Sequence, residues 1–172
     1  MRLLNEFRAP WPKSLKVSSA LTSALLLAVA VVGMANAARF GLLISLATIL
    51  LPLAVLAASA LAIVRSYRLF DSGIVVVRPG WTTVLPLAGL QTVAGDAEAL
   101  RASVRLFGNG GLFVIAGWFW NRRLGRYRAL ATDPSRAVVL TYQDRKVLVT
   151  PHDPQQFILR VRTLLATKDF PA

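Results

Sequence analysis

Two long charge-free stretches dominate the first third of the chain. Residues 17–38 and 40–64 contain no Asp, Glu, Lys or Arg, and only Arg39 separates them. At about 1.5 Å rise per residue, either stretch crosses a hydrocarbon core of about 30 Å as a helix. Inside lipid every backbone polar group needs an internal partner, so both are predicted as helices. Pro52 falls inside the second, a position that kinks a helix. Gly33, Asn36 and Gly41 stand near the junction, where the chain must reverse.

After Arg65 the pattern changes to short apolar runs punctuated by turn residues. Asp71-Ser72-Gly73 separates a strand at 67–70 from one at 74–78. Pro79-Gly80 precedes a strand at 81–85, and Gly89 opens another at 90–94. In "DAEALRASV" (96–104) an Asp cap followed by Ala, Glu, Ala and Leu predicts a helical turn. "RLFGNGGLFVIAGWFW" (105–120) reads as strand, glycine turn, strand. Further strands lie within 124–133 and 136–143, on either side of Asp133-Pro134-Ser135, and at 146–151 after Asp144-Arg145.

The last element has helical spacing. Asp153 fits the N-cap, Pro154 the first helical position and Gln156 the third. Phe157, Ile158, Val161, Leu164 and Leu165 then share one face. The predicted organisation is a basic segment at 1–16, a helical hairpin at 17–64 (17–38 and 40–64), a β-rich domain at 66–167 and a tail at 168–172. The fold class is α+β: two transmembrane helices, then an antiparallel β barrel or sandwich closed by a C-terminal helix.

Gly108-Asn109-Gly110-Gly111 admits three readings. A phosphate loop needs Lys and Ser/Thr after the last glycine, and neither is present. A third span needs roughly 20 residues, far more than the apolar run 112–120 provides. A tight hairpin turn at Asn109-Gly110 leading into a buried strand fits best. Gly117 then marks a bulge or a close backbone approach. Trp81, Trp118 and Trp120 read as core or interface packing, with interfacial insertion of Trp118 and Trp120 the alternative.

Composition agrees with a membrane chain. Of 172 residues 55% are hydrophobic, Lys+Arg is 20 against 8 Asp+Glu, and the net charge of +12 favours anionic partners. Arg2, Arg8, Lys13 and Lys16 precede the hairpin and Arg65, Arg68 and Arg78 follow it, which predicts both ends cytoplasmic. Trp11 and Tyr67 stand where interfacial anchors are expected. Ala35-Asn36-Ala37 also fits a signal-peptide site, but the basic lead and the apolar run are both longer than such peptides use. The second span keeps the C-terminal region cytoplasmic on either reading.

Catalytic chemistry finds no support. There is no Cys and a single His, His152, which reads as a turn residue. No nucleophile–base pair, metal-ligand cluster or paired carboxylates stand in a supporting context, so neither enzyme, metal nor cofactor is expected. Neither span holds a charge to serve an ion pathway. Charge alone would admit nucleic acid, but no recognition helix or RNA-binding sheet motif accompanies it.

Several motifs together resemble the bacterial pleckstrin-homology (PH)-like domains. They are the Gly-rich turn, Gly117-Trp118-Phe119, Leu124-Gly125 with Tyr127, and the run from Thr150-Pro151 through Asp153-Pro154 to Phe157. The resemblance covers roughly 66–167. It implies two antiparallel sheets with the C-terminal helix capping one end, in a bacterial inner-membrane protein. Eukaryotic PH domains often bind phosphoinositides through basic residues in the first hairpin loop; here that loop is the acidic Asp71-Ser72-Gly73. The expected function is a non-catalytic binding or scaffold module that takes a protein partner or its own copies by strand addition. The alternative is a sensor or organiser of anionic lipid. Candidate binding residues are Arg122, Arg123, Arg126 and Arg128, with Arg145 and Lys146 at a hairpin tip. Arg126 and Arg128 share one strand face, and near a membrane each such charge adds about 1 kcal/mol. The plain alternative is a solvated strand face.

Overall fold

The computed structural model describes residues 2–169. A strand comes first, β1 (Leu3–Arg8), followed by α1 (Lys13–Ala35), a short α2 (Ala37–Phe40) and α3 (Leu42–Leu61). Nine more strands follow: β2 (Ser66–Phe70), β3 (Gly73–Val77), β4 (Thr82–Pro86), β5 (Leu90–Gly95), β6 (Val104–Gly110), β7 (Ile115–Asn121), β8 (Gly125–Ala131), β9 (Val138–Tyr142) and β10 (Lys146–Val149). The last element is α4 (Pro154–Asp169).

α1 and α3 pair as a hairpin and are both long and apolar enough to cross a membrane. Their contact is close: a Cβ on Gly33 would lie 2.3 Å from the Thr48 hydroxyl. At the bend the Asn36 side chain donates to the Val32 carbonyl, and Gly41 at φ 75° ends α2. α3 runs on through Pro52, which is buried. Away from the contact the helices expose Leu21, Leu25, Leu42 and Leu43. The two helices thus present a continuous apolar surface away from their mutual contact.

The remaining elements form two sheets. One has the order β1-β2-β3-β4, the other β5-β9-β10-β8-β7-β6. The sheets pack as a sandwich and do not close into a barrel. One pair, β8 with β10, is parallel, because β10 inserts between β8 and β9. Leu69, Ile74 and Val76 from the first sheet meet Leu130, Leu140 and Val149 from the second. Phe157 and Val161 of α4 close this core, with Phe157 edge-on to Phe7 at 5.2 Å. Asp153 caps the helix as expected, accepting from the Gln156 N–H at 2.9 Å. Buried Tyr67 donates to the Leu130 carbonyl at 2.7 Å and accepts from the Thr150 N–H at 3.1 Å, and burial pushes its pKa to about 12.

Three local expectations change. The segment 1–16 carries a strand: β1 pairs with β2 and places Phe7 in the core, so the sandwich draws on chain from both sides of the hairpin. Residues 96–103 form consecutive turns in place of a helical turn, ending at Ala102 with φ 52°. Ala99 from this stretch is buried against Phe119, Tyr127 and Leu148, covering the outer face of the larger sheet. The β6–β7 turn is not at Asn109-Gly110. Gly110 pairs with Ile115, and the loop is 111–114, with positive φ at Gly111 and Phe113. Gly117 does mark a close backbone approach: it faces Gly108, and a Cβ there would lie 2.1 Å from the Phe107 carbonyl oxygen.

Candidate functional site

The glycine turn joins the sandwich to the helices. The Asn109 side-chain oxygen, Oδ1, accepts from the Gly111 and Leu112 N–H groups at 3.1 and 2.9 Å, which folds the loop on itself. Its amide donates to the Ser59 hydroxyl of α3 at 3.1 Å. On the other side the Phe113 N–H donates to the Ser19 hydroxyl of α1 at 2.8 Å, and Phe113 stacks on Trp11. The Pro79-Gly80 turn makes a further attachment, Gly80 N–H to the Leu61 carbonyl at 3.2 Å. Polar side chains near the ends of two apolar helices are thereby satisfied by the domain. The β6–β7 hairpin is held against the N-terminal part of α1 and the C-terminal part of α3.

The six basic residues singled out in the sequence do not form one patch. Arg122 and Arg123 occupy the β7–β8 turn, and Arg123 is paired with Asp96, whose hydrogen bond raises the guanidinium pKa. Arg126 and Arg128 share a face of β8, opposite Trp120 and Trp118 of β7. Arg126 lies over the Trp118 ring at 4.6 Å. Arg145 lies over Tyr142, and Lys146 donates to the Leu124 carbonyl at 3.0 Å; both line a shallow depression that Arg126 also borders. Arg128 alone turns to a different neighbourhood.

That neighbourhood is a cleft of about 520 Å3 between the splayed ends of the two sheets and the end of α3. Ala58 and Ala62 of α3 form one wall, and Trp81, Phe107 and Trp118 form the others. Arg78 and Arg128 both line it. Arg78 is only 7% exposed, and its Nε and Nη2 have no hydrogen-bond partner. The Trp81 ring centroid lies 5.2 Å from the Arg78 guanidinium carbon. Burial, with Arg128 alongside, lowers the Arg78 pKa from its ordinary value. Among the described residues neither arginine has a carboxylate partner. A guanidinium taken out of water is costly unless charges or hydrogen bonds compensate it, and among the described residues no protein group does so for Arg78 Nε and Nη2.

Arg78 was read in the sequence as a juxtamembrane topology signal. The signal for its burial is the alternation in "GIVVVR": Ile74 and Val76 are fully buried, and Arg78 continues their parity. The edge strand β6 was likewise read only as half of a hairpin. It exposes Val104, Leu106 and Phe107, the last at 77%, beside Trp120 of β7. His152 sits in the loop before α4, its N–H donating to the Arg8 carbonyl at 2.9 Å. No metal-holding cluster of His, Cys, Asp or Glu occurs among the described residues.

A family model described as a bacterial PH domain matches residues 65–164, more than half of the chain. No curated protein and no solved structure matches it.

Proposed function

This chain belongs to the bacterial PH domain family, and on that premise we propose a membrane-anchored, non-catalytic binding module whose sandwich rests on the cytoplasmic surface of the bilayer. PH-like domains are generally binding folds, and function on such a fold lives in the particular surface it presents. The observation that carries the reading is the docking of the β6–β7 hairpin against Ser19 and Ser59 of the two helices. On this reading Phe107, Trp120 and Trp81, all exposed, face the apolar–water boundary, where aromatic rings are favoured. Arg122 and Arg126 are exposed beside them and supply charge for anionic headgroups. The basic flanks of both helices support the cytoplasmic orientation.

A test uses the full chain in nanodiscs of neutral or anionic lipid, read by hydrogen exchange. Anionic lipid should protect β6, β7 and the β7–β8 turn more than neutral lipid does. Arg122→Glu with Arg126→Glu should remove the difference. Equal exchange in both lipids would sink the bilayer-surface reading. A second reading, a protein partner or second copy added as a strand, is favoured by one feature: β6 is an edge strand with an apolar face. It predicts cross-linking between chains through β6 that persists in neutral lipid.

A further inference from the structure

We propose that the cleft between the two sheets at the end of α3 binds a phosphate-type oxyanion carrying an apolar substituent, with Arg78 and Arg128 as its ligands. The charge argument is direct. Arg78 is buried with two N–H-bearing nitrogens unsatisfied, Arg128 adds a second positive charge to the same walls, and no acidic residue lines the cleft. Two arginines converging without a carboxylate repel each other unless an anion lies between them. A carboxylate is already matched by one guanidinium fork; a phosphate has oxygens enough for two.

The walls argue for the apolar substituent. Trp81, Phe107 and Trp118 face Ala58 and Ala62 of α3, and about 520 Å3 exceeds what a bare phosphate fills. This is not the first hairpin loop, which carries Asp71 and lies at the β2–β3 turn. The same chemistry comes from two sources, a phospholipid headgroup or a soluble phosphate ester. The site rests on the proposed function only for its closeness to the bilayer; the arginine pair is independent of it.

The experiment takes the full chain, purified in mild detergent, and reads bound phospholipid by native mass spectrometry. The delipidated chain is then titrated with short-chain phosphatidic acid and with glycerol phosphate, read by tryptophan fluorescence. The expected result is one retained phospholipid per chain, or saturable binding of glycerol phosphate if the ligand is soluble. Arg128→Gln should weaken either at least tenfold, while Arg101→Gln, at an exposed arginine outside the cleft, should not. Arg78→Met gives a readout that a merely structural arginine would not: it should raise the melting temperature of the delipidated chain and abolish the further rise on adding phosphatidic acid. Failure of the wild-type chain to bind either probe would overturn the site, as would equal binding by wild type and Arg128→Gln. Because Arg122 and Arg126 lie outside the cleft, equal exchange of the wild-type chain in neutral and anionic lipid, with the site intact, would instead remove only the bilayer-surface reading.

Discussion

Individual carboxylates are few in this chain, and Glu6 shows what one of them does. Its side chain accepts from the Ser66 hydroxyl at 2.6 Å and from Arg68 Nε at 3.1 Å, joining β1 to β2. These contacts hold its pKa below the ordinary value of 4.5. A folded pKa lowered in this way contributes stability above the unfolded value and loses it as pH falls through the folded one. Both partners are partly exposed, so the contribution is on the order of a few tenths of a kcal/mol. Protection of β1 amides should therefore decline between about pH 5 and pH 3 in the wild type, and not in Glu6→Gln. Hydrogen exchange, corrected for intrinsic rates, checks this. The arginines teach a different lesson about what a sequence reveals. Charge and spacing located Arg126 and Arg128 on one strand face, but not that Arg128 faces Arg78, which is 50 residues away in the chain and brought near only by the packing of two sheets.

The elements were legible wherever the signal was local. Both spans, the caps of α4 and the order of strands after Arg65 follow from hydropathy period and turn residues within a few positions. β1 was not legible, because "LLNEFR" lies in a basic lead and its strand character comes from Phe7 packing on Phe157 and from pairing with β2. Residues 96–103 were misread for the opposite reason: local helix propensity is overridden by burial of Ala99 and by Asn121, whose amide donates to the Ala99 carbonyl. The glycine-rich strand pair was read correctly at Gly117 and wrongly at its turn, since Asn109 spends its side chain organising the loop and reaching Ser59. Gly117→Ala should be severe, at least about 2 kcal/mol, because φ is +146° and the new methyl would overlap the Phe107 carbonyl. Gly111→Ala, also at positive φ but with open space around it, should cost less. Thermal unfolding of both variants in detergent, with exchange in β6 as the local probe, separates steric overlap from backbone strain.

For the whole molecule, the pairing of β1 with β2 has a topological result. The two strands lie before and after the hairpin, so on the proposed membrane-anchored reading their residues occupy the same side of the bilayer. Cleavage at Ala37 would also remove Phe7 from the core, which counts against the signal-peptide reading. The chain has no Cys, so single-cysteine variants report cleanly. Asn5→Cys and Ser72→Cys should react with an impermeant maleimide from one face of sealed vesicles, and Ala38→Cys from the other; opposite labelling of Asn5→Cys and Ser72→Cys would refute the arrangement. The same strand pairing also imposes a schedule on synthesis. Phe7 leaves the ribosome 60 residues before Tyr67, its register partner, a delay of about 3–12 s at ordinary translation rates. Throughout that interval β1, with Phe7 as its one buried residue, has no strand neighbour; on the proposed membrane-anchored reading it gains one only after the second helix has inserted and β2 has emerged on the same side. On that reading, closure of the first sheet is a final inspection of membrane insertion: a chain threaded with its two ends on opposite sides of the bilayer would leave Phe7 and the edge of β2 unpaired.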